Sequence, residues 1–121
     1  MDREDDTRKQ RLRRGDIVIV PSHYTDLTGY KLRPAVIISN DTFNLNTQDC
    51  IVVPLTGNLK KRPYSIYLFQ DDFVTGNIFN LSIIRVDKII AIEKSKIRQR
   101  IGAVKTYIIN EIIKTIETIF M

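Results

Sequence analysis

The sequence has few of the residue types that build metal, disulfide and cofactor sites. Its 121 residues include one cysteine, one histidine and no tryptophan. The single cysteine, Cys50, excludes an internal disulfide and a cysteine-rich metal site. The spacings CxxC and HxxxH are absent, as are the motifs GxxxxGK(S/T), GxGxxG and GxSxG. We therefore expect no metal and no cofactor, and nothing marks His23 as part of a serine hydrolase.

Long hydrophobic runs are missing as well. No apolar stretch approaches the roughly 20 residues that a membrane-spanning helix needs. The first 14 residues contain no hydrophobic segment of the kind that a secretory signal requires. We therefore expect a cytoplasmic protein that makes no membrane contact. Cys50 lies in the apolar run CIVVPL, which predicts a buried structural thiol rather than a nucleophile.

The composition indicates one globular domain with a basic surface. Hydrophobic residues make up 43% and charged residues 27%, which is ordinary for a globular protein. The net charge of +5 favours polyanionic partners without demonstrating one. The basic residues form three clusters that can follow phosphates, although solvated surface charge explains each equally well: Arg11, Arg13 and Arg14; Lys60, Lys61 and Arg62; and Lys94, Lys96, Arg98 and Arg100.

Residues 31–44, KLRPAVIISNDTFN, contain the strongest structural signal. The apolar run at residues 35–38 is short and β-branched, which predicts a strand buried on both faces. Pro34 favours an extended backbone at Arg33, so Arg33 is expected at the entry of this strand. A side chain on a regular element is positioned better than one on a loop. The sequence thus predicts a firmly held guanidinium at this point.

The remaining pattern predicts a mainly β protein with a C-terminal helix. Residues 1–13 are mixed in charge and predict a disordered extension, with the folded domain at 14–121. Further expectations are a loop or open hairpin at residues 22–32, a helical turn at 40–44, a break at Gly102, and a helix at 105–120 without a capping box. Strands are expected at 16–20 (ended by Pro21), 33–39, 50–55, 64–69, 80–87 and 88–92. Together they predict a small, strongly curved antiparallel sheet or barrel with the helix packed on it.

Four polar residues at or near the ends of predicted core strands are candidate functional residues. Arg33 enters the second strand and Thr56 leaves the third. Arg85 and Asp87 lie two apart on the fifth, so their side chains should share a face. Structural interpretations stay open for all four: a surface salt bridge for Arg33, a Ser/Thr turn for Thr56, and a weak ion pair for Arg85 with Asp87.

Five segments in this order resemble the MazF/PemK-type toxins of toxin–antitoxin systems. They are RGDIVIV, TDLTGYKLRPAVIISND, IVVPLTGN, LSIIRVDKIIAIEKSKI and RIGAV. The resemblance runs from Arg14 to the C-terminal helix. It implies an SH3-like barrel, a homodimer, and a metal-independent endoribonuclease. Such an enzyme cuts single-stranded RNA to a 2′,3′-cyclic phosphate and a 5′-hydroxyl, and a cognate antitoxin blocks its groove.

The resemblance also implies site residues. Arg33 of the RP motif and Thr56 of the PLT turn would be the catalytic pair. Arg85 and Asp87 match positions that some members use for RNA binding or catalysis, and Asp87 is our third catalytic candidate. The expected RNA-binding residues are Ser82, Lys88, Tyr24, Tyr30, Lys31, Lys60, Lys61 and Arg62. Tyr24 and Tyr30 lie in the loop that would cover the groove, where they either stack on bases or simply pack the loop. Some members carry a histidine before the RP motif, and TGYKLRP has none.

The chemistry of a cyclic product fits these residue types. The 2′-hydroxyl of the RNA attacks the adjacent phosphorus, so the protein needs no nucleophile of its own. Arg33 can hold two phosphate oxygens but rarely gives up a proton, whereas Thr56 can donate a hydrogen bond. Asp87 either takes the proton or orients Arg85. Two other functions stay open: a barrel that binds RNA without cutting it, and a toxin that acts on a protein target such as DNA gyrase.

Overall fold

The structure is a computed structural model that describes residues 11–23, 30–60, 62–76 and 81–121. Within these ranges the chain forms eight strands and two α-helices. In chain order they are β1 (Asp16–His23), β2 (Tyr30–Ile37), α1 (Asp41–Asn46), β3 (Asp49–Thr56), β4 (Ser65–Leu68), β5 (Phe73–Thr75), β6 (Ser82–Arg85), β7 (Ile90–Glu93), β8 (Gln99–Val104) and α2 (Thr106–Phe120). Short 3₁₀ turns lie at Gln70–Asp72 and Lys94–Lys96.

All eight strands join one antiparallel sheet. Seven of them follow the order β4-β6-β3-β2-β1-β8-β5, and β7 pairs with β3 beside this path. Strand β3 lies at its centre: one edge pairs with β2, and the other pairs with β7 along its first half and with β6 at its end. The sheet curls around a core and α2 closes it, so the prediction of a curved antiparallel β fold with a C-terminal helix is confirmed.

The sheet has two faces, and each carries an apolar cluster. On the side that we call the helix face, alternate residues of the strands pack against α2; the strands contribute Ile17, Val36, Val53, Leu55 and Ile84, and the helix contributes Ile108, Ile109 and Ile112. The other side, the far face, carries Val18, Val20, Ala35, Ile37, Cys50, Val52, Ile92 and Ile97. Because side chains alternate along a strand, successive residues of β2 serve both clusters. This confirms the prediction that residues 35–38 are buried on both sides.

Helix α2 is held by its apolar stripe and by one polar contact. Ile108, Ile109 and Ile112 are buried at helical spacing against the sheet. The hydroxyl of Tyr107 donates a hydrogen bond to the carboxylate of Asp72, which is itself buried at the 3₁₀ turn. Lys105 precedes the helix without a side-chain cap, in agreement with the absence of a capping box in the sequence.

A buried polar network ends β2 and starts α1. Asn40 caps the helix by accepting a hydrogen bond from the N–H of Phe43 at 2.8 Å. The hydroxyl of Ser39 donates to the side chain of Asn44 and accepts from the N–H of Ile51. The predicted helical turn is therefore confirmed, and the structure extends it to Asn46.

The hairpin β1–β2 is longer than predicted, because Pro21 does not end β1. The strand continues to His23, and Pro21 pairs with Leu32. On its other edge, β1 pairs with β8 only as far as Ile19. Pro21 therefore lies where β1 is an edge strand, which is a position that tolerates the missing N–H.

The predicted break at Gly102 is wrong, since this glycine lies within β8. It pairs with Ile17, and strand β5 passes close by on the other side. A Cβ added to Gly102 would meet the carbonyl oxygen of Thr75 at 2.7 Å. The residue is a glycine because another backbone approaches it, which is a common use of glycine inside a strand. Neither β5, with three residues, nor β8 was predicted.

The packed chain begins before Gly15. Leu12 packs against the far-face cluster, and the N–H of Arg13 donates to Asp16 at 2.8 Å. The Nε of Arg14 donates to the carbonyl of Ile38 at 2.8 Å. Residues 1–10 of the predicted extension lie outside the described residues, so the expectation for them stays a prediction. Neither helix of the described ranges is long and apolar enough to cross a bilayer.

Candidate functional site

Two candidate residues, Arg33 and Thr56, lie on the far face beyond the last residues of its apolar cluster. Along β2 the far face reads Ile37, Ala35 and then Arg33, and β3 ends on the same face with Thr56. Ala35 pairs with Pro54. This is the last pair that β2 forms with β3. Because side chains alternate along each strand, Arg33 and Thr56, which are 23 positions apart in sequence, lie on the same face of the sheet just beyond that pair.

Arg33 is held by its surroundings as well as by its strand. It pairs with Val20 of β1, its side chain is half-buried, and its Nε atom is closed off from solvent. The next residue on this face, Ala35, is fully buried. An arginine whose stem is packed in this way loses little further side-chain entropy when its guanidinium binds an anion.

Thr56 begins a rigid turn. Its hydroxyl oxygen accepts a hydrogen bond from the N–H of Asn58 at 3.1 Å, and the side chain of Asn58 accepts one from the N–H of Lys60 at 3.1 Å. The Ser/Thr turn that the sequence allowed is present. It is compatible with a role in binding, because a hydroxyl that accepts one hydrogen bond can still donate its own hydrogen.

Arg85 lies on the same face and forms a bidentate ion pair with Asp87. Thr56 pairs with Ile83 of β6, and Arg85 follows two residues later on that strand. The Nε of Arg85 is 3.0 Å from one oxygen of Asp87, and a terminal nitrogen is 2.9 Å from the other. The sequence predicted Asp87 on the strand, whereas the structure places it in the turn after β6. The two side chains are nevertheless in contact.

The ion pair changes the ionisation of both partners. Hydrogen bonding to Arg85 lowers the pKa of Asp87, and hydrogen bonding to Asp87 raises the pKa of Arg85. Any stability that the carboxylate contributes is therefore present above its unfolded pKa and is lost as the pH falls through its lower, folded pKa. At neutral pH Asp87 is ionised and paired, which makes it a weak proton acceptor.

The other predicted RNA-binding residues are only partly brought to this site. Lys31 lies two residues before Arg33, on the same face of β2, and is exposed, while Lys60 and Arg62 belong to the segment that follows Thr56. Lys88 is exposed in the turn beside Arg85. Ser82 alternates with Arg85 and so falls on the helix face, away from Arg33. Tyr24, Lys61 and the side chain of Tyr30 lie outside what the structure describes.

Several basic residues outside the site are engaged in structural contacts. The Nζ of Lys94 donates to the carbonyl of Asn44 at 2.7 Å, and Arg100 lies 3.6 Å from the buried carboxylate of Asp16. Cys50 is buried, as the sequence predicted, and burial raises the pKa of its thiol to about 11. No three His, Cys, Asp or Glu side chains gather as metal ligands in the described ranges.

The sequence reasoning missed three aromatic residues at the edge of this face. Tyr67 and Phe69 are exposed, and their ring centroids are 6.3 Å apart. Tyr64 is exposed too, and its φ of 59° places a bulky residue in the left-handed region. The sequence SIYLF carried a signal for this. Ile66 and Leu68 fill the core, and the alternate positions, which are polar in most half-buried strands, are here the aromatic residues Tyr67 and Phe69.

Comparisons with known proteins agree with this fold. The family described as the PemK-like, MazF-like toxin of type II toxin–antitoxin systems matches residues 13–120. A solved endoribonuclease from a mycobacterial species, in complex with its cognate antitoxin, is 24% identical with a TM-score of 0.69, covering 88% of this chain and 92% of that one. The MazE–MazF complex from Deinococcus radiodurans (Form-II) is 16% identical with a TM-score of 0.73, covering 93% and 97%.

The toxin MazF-mt6 of Mycobacterium tuberculosis is 17% identical with a TM-score of 0.69, covering 87% of this chain and 95% of that one. A search of curated protein sequences found no significant match. At these identities the solved structures establish the fold, and the family match, which spans nearly the whole chain, establishes the relationship. The chain belongs to the PemK-like, MazF-like toxins of type II toxin–antitoxin systems.

Proposed function

We propose that this chain is an endoribonuclease toxin that cleaves single-stranded RNA without a metal ion. The observation that carries the proposal is the pairing of β3 with β2 and β6, whose alternation puts Arg33, Thr56 and Arg85 on the far face. Two guanidinium groups and a hydroxyl on one face suit a phosphodiester, whose transition state gains negative charge. Two of the structurally similar proteins are named as endoribonucleases, which supports the same reaction class.

The reaction that we propose is an internal transesterification. The 2′-oxygen of the RNA forms a bond to the adjacent phosphorus while the bond to the 5′-oxygen breaks. The 2′-hydroxyl gives up its proton and the departing 5′-oxygen gains one, so the products are a 2′,3′-cyclic phosphate and a 5′-hydroxyl. Arg33 stabilises the charge of the phosphorane, and Thr56 donates a hydrogen bond to a phosphate oxygen. The protein's main contributions are alignment and charge stabilisation.

Within this proposal Asp87 is a positioning residue. Its carboxylate holds the guanidinium of Arg85 in a bidentate contact, which aims the remaining donors of Arg85 along the far face. A general base works best with a pKa near the working pH. The lowered pKa of Asp87 argues against that role.

The variant Asp87→Asn tests this assignment through the pH dependence of cleavage. An amide can still accept one hydrogen bond from Arg85 but has no charge, so we expect KM to rise by up to about tenfold, while kcat between about pH 5 and 9 keeps its wild-type profile. Single-turnover rates on one RNA, measured across that range, provide the test. Loss of the acidic limb in Asp87→Asn would instead identify Asp87 as the base.

The cleavage assay itself uses purified protein, a long single-stranded RNA and excess EDTA. We expect discrete fragments whose 3′ ends carry a cyclic phosphate, with the cut sequence readable from the fragment ends. Intact RNA in EDTA with cleavage restored by Mg²⁺ would contradict the metal-independent mechanism. RNA that is bound but stays intact under both conditions would favour a non-catalytic binding protein.

The proposal extends to partners and location. The solved relatives include complexes with antitoxins, and we propose that a cognate antitoxin chain covers the far face of this protein. We also propose a homodimer and a cytoplasmic location, where messenger RNA is present. Sedimentation of the purified chain as a monomer at micromolar concentration would contradict the dimer.

A further inference from the structure

We propose that Tyr67 and Phe69 form a stacking platform that binds one or two unpaired bases of the substrate RNA beside the cleaved bond. This inference rests on the proposed function and deepens it. It assigns a part of the substrate to an edge of the sheet that none of the candidate catalytic residues occupies.

The platform lies on the same face as the site. Tyr67 pairs with Ile83, which in turn pairs with Thr56, so one row of paired residues runs from Thr56 to Tyr67 across β6. Ser65 pairs with Arg85 in the neighbouring far-face row. Two residues along a strand advance about 7 Å. Tyr67 is therefore one such step along β4 from the row that contains Arg85.

The rings are exposed although the strand that carries them is packed. Ile66 and Leu68 of β4 are buried on the helix face at 7% and 0% exposure, whereas Tyr67 and Phe69 on the other side are 41% and 54% exposed. Exposed aromatic rings contribute little to the stability of an isolated domain. Two adjacent ones at positions that are usually polar more often mark a contact surface.

The chemistry of the rings favours bases as the occupant. Every base has a flat face that stacks on an aromatic ring irrespective of sequence. The ring centroids are 6.3 Å apart and the ring planes are tilted by 34°, so no base fits between them. The exposed faces of the two rings can each take one base. The cationic Arg85 lies in the adjoining row, where its guanidinium can contact a phosphate of the same RNA.

Two carboxylates, Asp71 and Asp72, follow Phe69 in the chain and limit the length of the platform. Asp71 is exposed two residues after Phe69 and would repel a phosphate. Asp72 is buried, where its carboxylate accepts hydrogen bonds from the N–H of Phe69 and the hydroxyl of Tyr107. The first of these bonds also fixes the backbone of Phe69. The platform is thus a short, fixed surface that can bind one or two bases before the RNA must leave the protein near Asp71.

The test measures binding of an RNA that cannot be cut. The probe is a single-stranded oligonucleotide that contains the cleavage sequence with a 2′-deoxy sugar at the scissile position, in a minimal form and in forms extended at the 5′ or the 3′ end. We expect Tyr67→Ala and Phe69→Ala each to weaken binding of one extended form by about 5- to 150-fold, the range for loss of a stacked base. The minimal form lacks the flanking bases that reach the platform, so the alanine variants should bind it within about twofold of wild type.

Matched variants separate stacking from other effects. Tyr67→Phe keeps the ring and should retain wild-type binding. Phe120→Ala removes a ring that is 76% exposed at the end of α2, on the opposite side of the sheet, and should leave RNA binding unchanged. An abasic nucleotide at the flanking position should weaken wild-type binding and abolish the effect of Tyr67→Ala, because both changes remove the same contact.

The outcomes also separate this inference from the proposed function. If wild type cleaves RNA while the alanine variants bind every form as wild type does, the platform is wrong and the ribonuclease stands. If no RNA is cleaved by wild type, the proposed function itself fails. If the variants bind RNA normally but lose affinity for the antitoxin chain, the rings belong to a protein interface and the RNA platform is overturned.

Discussion

Replacing Arg33 with alanine is expected to lower the rate of RNA cleavage by about 10²–10³-fold while the fold stays intact. This is the size of the loss when a preorganised donor to a developing oxyanion is removed. Arg33 lies on the far face two residues beyond the buried Ala35, and its half-buried stem holds the guanidinium in place before the substrate arrives. The loss should fall mainly on kcat, because the contact strengthens as the phosphorane forms.

Two further arginine variants make this result interpretable. Arg33→Lys keeps the charge but loses the two-pronged contact, so its rate should lie between those of wild type and Arg33→Ala. Arg98→Ala removes an exposed positive charge that is not among the candidate site residues and controls for the overall attraction of RNA. Circular dichroism and the unfolding midpoint of each variant establish that the fold is retained. Near-normal cleavage by a folded Arg33→Ala would remove Arg33 from the site.

Replacing Gly102 with alanine is expected to reduce the free energy of unfolding by about 1–3 kcal/mol, the usual cost of forcing extra atoms into a packed site. The new Cβ would lie 2.7 Å from the carbonyl oxygen of Thr75 and 3.3 Å from the Cα of Gly76. Both obstacles are backbone atoms of the neighbouring strand segment, so no side-chain rotation relieves the contact. The pairing of β5 with β8 would have to widen.

Gly57 provides the matched control for this prediction. A Cβ added there meets nothing within 4 Å. Gly57→Ala should therefore be neutral or slightly stabilising, because alanine restricts the unfolded chain more than glycine does. Urea denaturation of wild type and both variants gives the comparison. Equal midpoints for Gly102→Ala and wild type would show that β5 and β8 do not approach as closely as the structure has them.

The local pattern was enough to predict the main elements and the identity of the candidate catalytic residues. The run at residues 35–38 and the helical spacing of Ile108 and Ile112 are each decided by residues close together in sequence, and both predictions are confirmed. Arg33 and Thr56 stood out because each is a polar residue at the end of an apolar run. That the two residues share a face follows only from the register of β2 with β3, which the sequence does not state.

Other features depended on contacts between distant segments. Pro21 is compatible with β1 only because β8 stops pairing at Ile19, and Gly102 is a strand residue only because Thr75 passes close to it. Local propensity assigned both residues as breakers, and the neighbouring strands overrode that preference.

By itself the sequence determined the buried strand at residues 35–38, the C-terminal helix and the set of polar residues available for chemistry, because these depend on side-chain type and period along the chain. Only the tertiary structure decided which of those polar residues share a face, which face Ser82 takes, that Tyr67 lies in the paired row of Thr56, and that Tyr67 and Phe69 are exposed. The reason is that strand pairing joins residues far apart in sequence, and a shift of one residue in register would move every side chain of a strand to the opposite face.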